Sequence, residues 1–212
     1  MKFISIRHAL ALALALTLSA CGGGKATFTI AGTASHLQYG PLVLTTNGQD
    51  VSVFPDASIK PPISNYITNP PPVVKWQFAK QIEYGDSYQV SVKTNPPHQD
   101  CGVTPPFGNV DSAGHLAAID IPVDCTLQQH LLGGTIAGLT ADGLVLTNGS
   151  VTFAAPKATT GFTFGVPVQF GDTYGVTVLT NPTGLACTVA NGAGTMGDDN
   201  VSNVAVTCVP RT

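Results

Sequence analysis

The feature that most constrains this chain is a twelve-residue stretch that occurs twice. Gly85-Asp86-Ser87-Tyr88-Gln89-Val90-Ser91-Val92-Lys93-Thr94-Asn95-Pro96 returns as Gly171-Asp172-Thr173-Tyr174-Gly175-Val176-Thr177-Val178-Leu179-Thr180-Asn181-Pro182, every pair 86 positions apart. Cys101 and Cys187 follow at the same offset. Chance does not hold Gly, Asp, Tyr, two Val, Thr, Asn and Pro in register over that length, so the chain contains two copies of one domain.

The second copy is the clearer. Seven short strands are predicted at 135–139, 144–147, 150–154, 161–166, 173–180, 187–190 and 201–209. Asn148-Gly149 and Asn191-Gly192 supply tight turns, because Asn and Gly tolerate positive φ. In Tyr174, Val176 and Val178 apolar side chains alternate with Thr173, Gly175 and Thr177, the period of a strand with one buried face. No stretch carries a helical period. Seven strands in so short a length predict an all-β fold: two tandem small antiparallel β-sandwich domains, Ig-like or prealbumin-like, with one disulfide each.

The first copy aligns in pieces. Ile30-Ala31-Gly32 matches Ile136-Ala137-Gly138 at an offset of 106, Leu42-Val43-Leu44 matches Leu144-Val145-Leu146 at 102, and Asn47-Gly48 matches Asn148-Gly149 at 101. From Trp76 onward the offset is 86, so copy one carries a 15-residue insertion between Val53 and Trp76. Six prolines, among them Pro61, Pro62 and Pro70, keep that insertion out of a sheet. The expected organisation is a leader at 1–20, a tether at 21–26, domain 1 at 27–125 with its Pro-rich insertion at about 54–75, a linker at 126–134 and domain 2 at 135–212. A linker this short and partly apolar restricts movement between the domains.

The leader has Lys2 and Arg7 ahead of the apolar run 9–18, too short to span a bilayer. Its end, Leu18-Ser19-Ala20-Cys21, resembles the bacterial lipobox. That resemblance implies cleavage before Cys21, a diacylglyceryl group on its thiol and an acylated amine, which together anchor a protein stably. Gly22 after the cysteine, rather than Asp, implies the outer membrane. Without Lys2 and Arg7, seven basic residues face twelve acidic ones, a net charge of −5 that offers nucleic acid no footprint.

Four cysteines remain, two per copy: Cys101 is equivalent to Cys187 and Cys125 to Cys208. Duplication favours Cys101 with Cys125 and Cys187 with Cys208 over the other pairings, since each copy folded alone before it was doubled. An exported, oxidising compartment agrees with that. Zinc is disfavoured because no close Cys-x-x-Cys pair exists.

The titratable groups beyond the leader include His36, His98, His115, His130 and one glutamate, Glu83; copy two has neither His nor Glu. No nucleophile with its base recurs in both copies, so the chain is read as non-enzymatic, with no catalytic residue, metal or cofactor. His98-Gln99-Asp100-Cys101 occupies the loop that reads Gly184-Leu185-Ala186-Cys187 in copy two and is assigned a structural or solvated role. Asp198 and Asp199, with Asp172 or Asp142, lack calcium-loop spacing and are read as turn residues. Trp76 and Phe78 match Phe162 and Phe164 and are assigned to the core, as are the rings of Tyr88 and Tyr174. Asn65, Tyr66 and Asn69 have no counterpart in copy two, which makes them the candidate recognition loop.

Copy two, through residues 143–149, Phe162-Thr163-Phe164, 171–182, 187–194 and Val204-Ala205-Val206-Thr207-Cys208, resembles a repeat of bacterial exported lipoproteins of unknown function. The phrase Gly-x-x-Tyr-x-Val-x-Val followed by Pro is also similar to prealbumin-like and Cna-B-type surface modules. The repeat's resemblance implies a β-rich extracytoplasmic module without catalytic residues. With the lipid anchor, the expected role is structural or adhesive, presenting loops to a protein or glycan partner. The competing expectation is a small hydrolase or metal-dependent enzyme with its site in domain 1.

Overall fold

The computed structural model describes residues 25–63 and 72–211, and no helix occurs among them. The first half contains β1 (Thr27–Phe28), β2 (Ile30–Ser35), β3 (Leu42–Thr46), β4 (Gln49–Val53), β5 (Val74–Gln77), β6 (Ile82–Glu83), β7 (Ser87–Tyr88), β8 (Ser91–Thr94), β9 (Gln99–Val103), β10 (Asp111–Ser112) and β11 (Ile119–Leu127). The second contains β12 (Gln129–His130), β13 (Leu132–Ala137), β14 (Leu144–Asn148), β15 (Val151–Ala155), β16 (Gly161–Thr163), β17 (Val168–Gln169), β18 (Thr173–Thr180), β19 (Leu185–Ala190), β20 (Ala193–Thr195) and β21 (Val201–Pro210).

Each half is a β-sandwich. One layer has the order β5-β2-β11-β9 in the first domain and β16-β13-β21-β19 in the second. The opposing layer is β4-β3-β8 in the first and β15-β14-β18-β20 in the second. Apolar residues alternate inward on these strands, with Leu42, Leu44, Leu144 and Leu146 at 0% exposure. Burying a side chain of that size contributes about 1.5–3 kcal/mol. Trp76, Phe78 and Tyr88 join the first core, while Phe162, Phe164 and Val176 join the second. On β18 the alternation runs as its sequence dictates: Val176 is buried, Tyr174 and Val178 half-buried, and Thr173, Gly175 and Thr177 exposed.

Most ladders are antiparallel, and one in each domain is parallel. β11 runs beside β2, pairing Ile121 with Gly32, and β21 runs beside β13, pairing Val204 with Gly134. On its other side the same strand is antiparallel to its neighbour and carries the disulfide. Cys125 lies directly opposite Cys101, and Cys208 directly opposite Cys187, with Cα atoms 4.0 Å apart in both.

This pairing corrects one alignment made from the sequence. Gly32 stands opposite Trp76 and Gly134 opposite Phe162, while Ile30 O and Leu132 O accept the amides of Phe78 and Phe164, each at 2.9 Å. Ile30 and Gly32 are therefore equivalent to Leu132 and Gly134 at an offset of 102, and the Ile-Ala-Gly match at 106 is coincidental. The offset of 102 extends back to β1 and β12. β1 pairs with β6 as β12 pairs with β17, so only Gln128 separates the last strand of one domain from the first of the next. The stretch 126–134 expected as linker is occupied by the end of β11, by β12 and by the start of β13.

A Cβ on Gly32 would stand 1.9 Å from Ile121 O, and one on Gly134 1.9 Å from Val204 O. Both obstacles are backbone atoms of the central strand, which cannot turn aside as a side chain can. Gly134→Ala is expected to destabilise the chain by about 3 kcal/mol in urea unfolding, the upper range for overpacking. Gly175→Ala, where a Cβ meets nothing within 4 Å, should change stability by less than about 0.5 kcal/mol. Equal midpoints for the two variants would contradict the close approach.

Candidate functional site

The polar residues that the copies share are used on the backbone. Asn95 Oδ1 accepts the Cys101 amide at 2.9 Å and Asn181 Oδ1 accepts the Cys187 amide at 2.7 Å, fixing the same loop twice. Gly85 and Gly171 adopt positive φ, 88° and 82°, and donate to Ala113 O and Met196 O at 2.9 Å. The Asp86 and Asp172 amides close the preceding turn on Glu83 O and Gln169 O. A carboxylate oxygen of Asp86 also accepts the Glu83 amide at 2.8 Å. The Asn95, Asn181 and Asp86 side chains thus serve loops and turns.

Several residues that differ between the copies gather at the domain junction. His98 lies flat on Phe170, with ring centroids 3.9 Å apart and planes 9° from parallel. Tyr39 packs edge-on to both rings, and His98 Nδ1 lies 2.5 Å from a carboxylate oxygen of Asp198. Burial pushes the Tyr39 phenol above its ordinary pKa, and nearby Asp198 adds to the rise. The connecting backbone is tied on both sides. The Gln128 amide donates to His98 O at 2.9 Å, Gln128 O accepts the Phe170 amide at 2.8 Å, and Gln128 Nε2 reaches Asp100 Oδ1 at 3.3 Å.

His98 is held in the left-handed region, with φ 62°. Its equivalent is Gly184, with φ 77°, so the loop requires that conformation and copy two meets it without a Cβ. Domain 1 accepts the backbone cost and gains a ring at the junction.

Gln99 connects the junction to the Pro-rich insertion. It is fully buried at the position where copy two has Leu185. Its Oε1 accepts the amides of Gln38 and Tyr39 at 2.7 and 3.0 Å, and its Nε2 donates to His36 O at 2.8 Å. Gln38, 2% exposed, in turn donates from Nε2 to Ile63 O at 3.0 Å and accepts the Ile63 amide at 2.5 Å. Pro62 rests where a Cβ on Gly171 would be, 2.4 Å from its Cγ. The root of the insertion is thus fixed to domain 1 through Gln38 and leans on domain 2 through Pro62.

Cys21, with the lipobox, and Asn65, Tyr66 and Asn69 lie outside the described residues. Asp142 accepts the Lys157 amide, Asp172 sits in its turn and Asp198 pairs with His98, so the structure does not bring them together. Among the described residues no three His, Cys, Asp or Glu side chains converge as metal ligands. Tyr88 is buried, and its hydroxyl donates to Asp111 Oδ2 at 3.1 Å. Burial and then that carboxylate push its pKa up to about 12. Sequence reasoning left Tyr39 and Phe170 without a role and gave His98 no partner. One signal for the network was present: an amide at 99 where the other copy has leucine.

No family model and no curated protein matches the chain. Among solved structures, the Bacillus anthracis TIE protein is similar over 86% of this chain at 11% identity and a TM-score of 0.43. The chain spans 34% of that protein's length. The Streptococcus pyogenes major pilin protein T-13 is similar over 89% of this chain and 98% of its own, at 12% identity and a TM-score of 0.28. Its T3.2 counterpart is similar over 86% and 96%, at 12% identity and a TM-score of 0.27.

Removing the ring at 98 separates the junction from the fold of domain 1. His98→Gly copies the residue of domain 2, relieves about 1 kcal/mol of left-handed backbone cost, and leaves the loop intact. Residual dipolar couplings from the two domains should fit one alignment tensor in the wild-type chain and require two in the variant. One common tensor in the variant would contradict the role given to the His98 stack.

Proposed function

We propose that the protein is a lipid-anchored component of the bacterial cell envelope with a structural or adhesive role, without catalytic activity, presenting domain 1 loops to a protein or glycan partner. The observation that carries this reading is the use of the repeated polar residues. Asn95, Asn181, Asp86 and Asp172 recur because they close loops and turns, as a scaffold requires, and His98, which differs between the copies, ties one domain to the next.

Leu18-Ser19-Ala20-Cys21 supports the anchor, and two acyl signals suffice for stable attachment. The tether 21–26 is short, so domain 1 stands close to the membrane, and Gly22 favours the outer membrane. A fixed junction suits a spacer, since a stiff pair of domains carries its loops at a set distance from the lipid. The recognition surface assigned to this reading is the insertion bearing Asn65, Tyr66 and Asn69, whose root is held by Gln38 and Gln99.

The test joins the two parts of the reading. Wild-type protein should sediment with the membrane fraction, and Cys21→Ala should leave it; retention of Cys21→Ala would overturn the anchor. Liposomes carrying the lipidated full chain should then adhere to beads coated with envelope polysaccharide or envelope protein. The combined change Asn65→Ala, Tyr66→Ala and Asn69→Ala should reduce capture at least about tenfold, the loss of roughly 1.4 kcal/mol. Undiminished capture by that variant would remove the insertion as the recognition surface.

A further inference from the structure

Domain 1 holds a second feature, built partly from residues that domain 2 does not share: a cavity of about 380 Å³ under the loop that joins β9, β10 and β11. Its floor is the buried pair Tyr88 and Ile121, and its walls include Phe107 with the exposed Val110 and Leu116. Asp111 and His115 stand at its edge. Two changes create it. Between β9 and β10 lie seven residues, 104–110, where β19 and β20 are joined by Asn191 and Gly192 alone. At the position paired with the tyrosine, domain 1 has Asp111 and domain 2 has Gly194. A Cβ on Gly194 would come 2.6 Å from the Tyr174 hydroxyl, so a side chain there would require the Tyr174 ring to shift.

The polar edge presents acceptors. Asp111 takes three donors: the Tyr88 hydroxyl on Oδ2 at 3.1 Å, and the Ser112 amide and His115 Nδ1 on Oδ1, both at 2.7 Å. Tyr88 has spent its proton in that bond. A carboxylate has about four lone-pair sites, so Oδ2 keeps capacity for one more donor. With Nδ1–H directed at the carboxylate, Nε2 is a further acceptor whenever the imidazole is neutral. The Ser112 amide, and after it His115 and Tyr88, hold the Asp111 carboxyl below its ordinary pKa, which keeps it an anionic acceptor at neutral pH. Asn109 at the rim donates from Nδ2 to Pro106 O, within the loop.

We propose that this cavity binds a small ligand with an apolar body ending in a hydrogen-bond donor, a hydroxyl or an ammonium group. Its volume lies at the small end of the range for ligand sites, which suits about six to ten non-hydrogen atoms. Val110 and Leu116, 65% and 49% exposed, are then the side chains that the ligand covers. The site goes beyond the envelope role and needs neither the lipid anchor nor the insertion at 54–75.

Three probes with one apolar body and different heads test it on the full chain: 4-methylphenol, 4-methylbenzylamine and 4-methylbenzoate. Carbon-13 labelling of the tyrosine rings allows Tyr88 and Tyr174 to be followed separately by NMR. The phenol and the amine should shift Tyr88 and leave Tyr174 unmoved, with dissociation constants of about 1 mM. The benzoate, lacking a donor and repelled by Asp111, should bind at least about tenfold more weakly. Val110→Ser with Leu116→Ser, both on the surface, should weaken the phenol at least about fivefold while the Tyr174 signal attests the fold. Asp111→Asn should bring the amine and the benzoate within about threefold of each other. The proposal is overturned if Tyr88 stays unmoved at about ten times the expected constant, if the benzoate binds as well as the amine in the wild-type chain, or if Tyr174 shifts in step with Tyr88.

Discussion

Each domain depends on its last strand. β11 and β21 are bonded in parallel to the first strand of their layer and antiparallel to the strand before them, to which a disulfide also joins them. Closing the chain on itself in this way brings residues about ninety or seventy positions apart into one ladder, and the entropy of that closure must be met by the contacts it makes. Gly32 and Gly134 let the two strands approach, the cystines fix the antiparallel neighbour, and the inward residues Ile121, Val123, Val204 and Val206 supply the core between them. In the chain-entropy account each disulfide, with separations of 24 and 21, stabilises its domain by about 3 kcal/mol. For domains this small that is a large share of the whole.

Duplication gave two copies of this arrangement, and the differences between them concern what each copy meets. Phe170 and Tyr84 are equivalent at an offset of 86, yet Phe170 is covered by His98 while Tyr84 is 62% exposed. His98 in turn corresponds to Gly184, and Gln99 to Leu185. A glycine-to-histidine and a leucine-to-glutamine difference in adjacent positions place a ring on the neighbouring domain and bond the loop carrying Tyr39. Asp111 at the place of Gly194 is a third such difference, and it turns a packed edge into a cavity with a charged rim.

The sequence made the regular parts legible. Alternation of Tyr174, Val176 and Val178, the Asn-Gly turns and the register of the repeat lead to the strands, to the core places of Trp76, Phe78, Phe162 and Phe164, and to one disulfide per domain. Less accessible was anything that depends on partners distant in the chain. The parallel ladder gives no local signal, because a strand buried on one face alternates whichever way its neighbour runs. Ile30-Ala31-Gly32 was matched to the wrong triplet because the true equivalents, Leu132-Gly133-Gly134, share only a glycine whose importance lies in a neighbouring carbonyl oxygen, 1.9 Å from where a Cβ would stand. The His98–Phe170 contact was illegible for a similar reason: each residue is unremarkable alone, and they meet only across the domain junction.

If the last strand carries each domain, its amides should open only when the whole domain unfolds. Native-state hydrogen exchange measures this directly. The amides of Val123 and Cys125 in β11, and of Val206 and Cys208 in β21, should be the slowest in their domains, with opening free energies equal to that of global unfolding. Exchange there as fast as in the edge strands β5 and β16 would contradict the account.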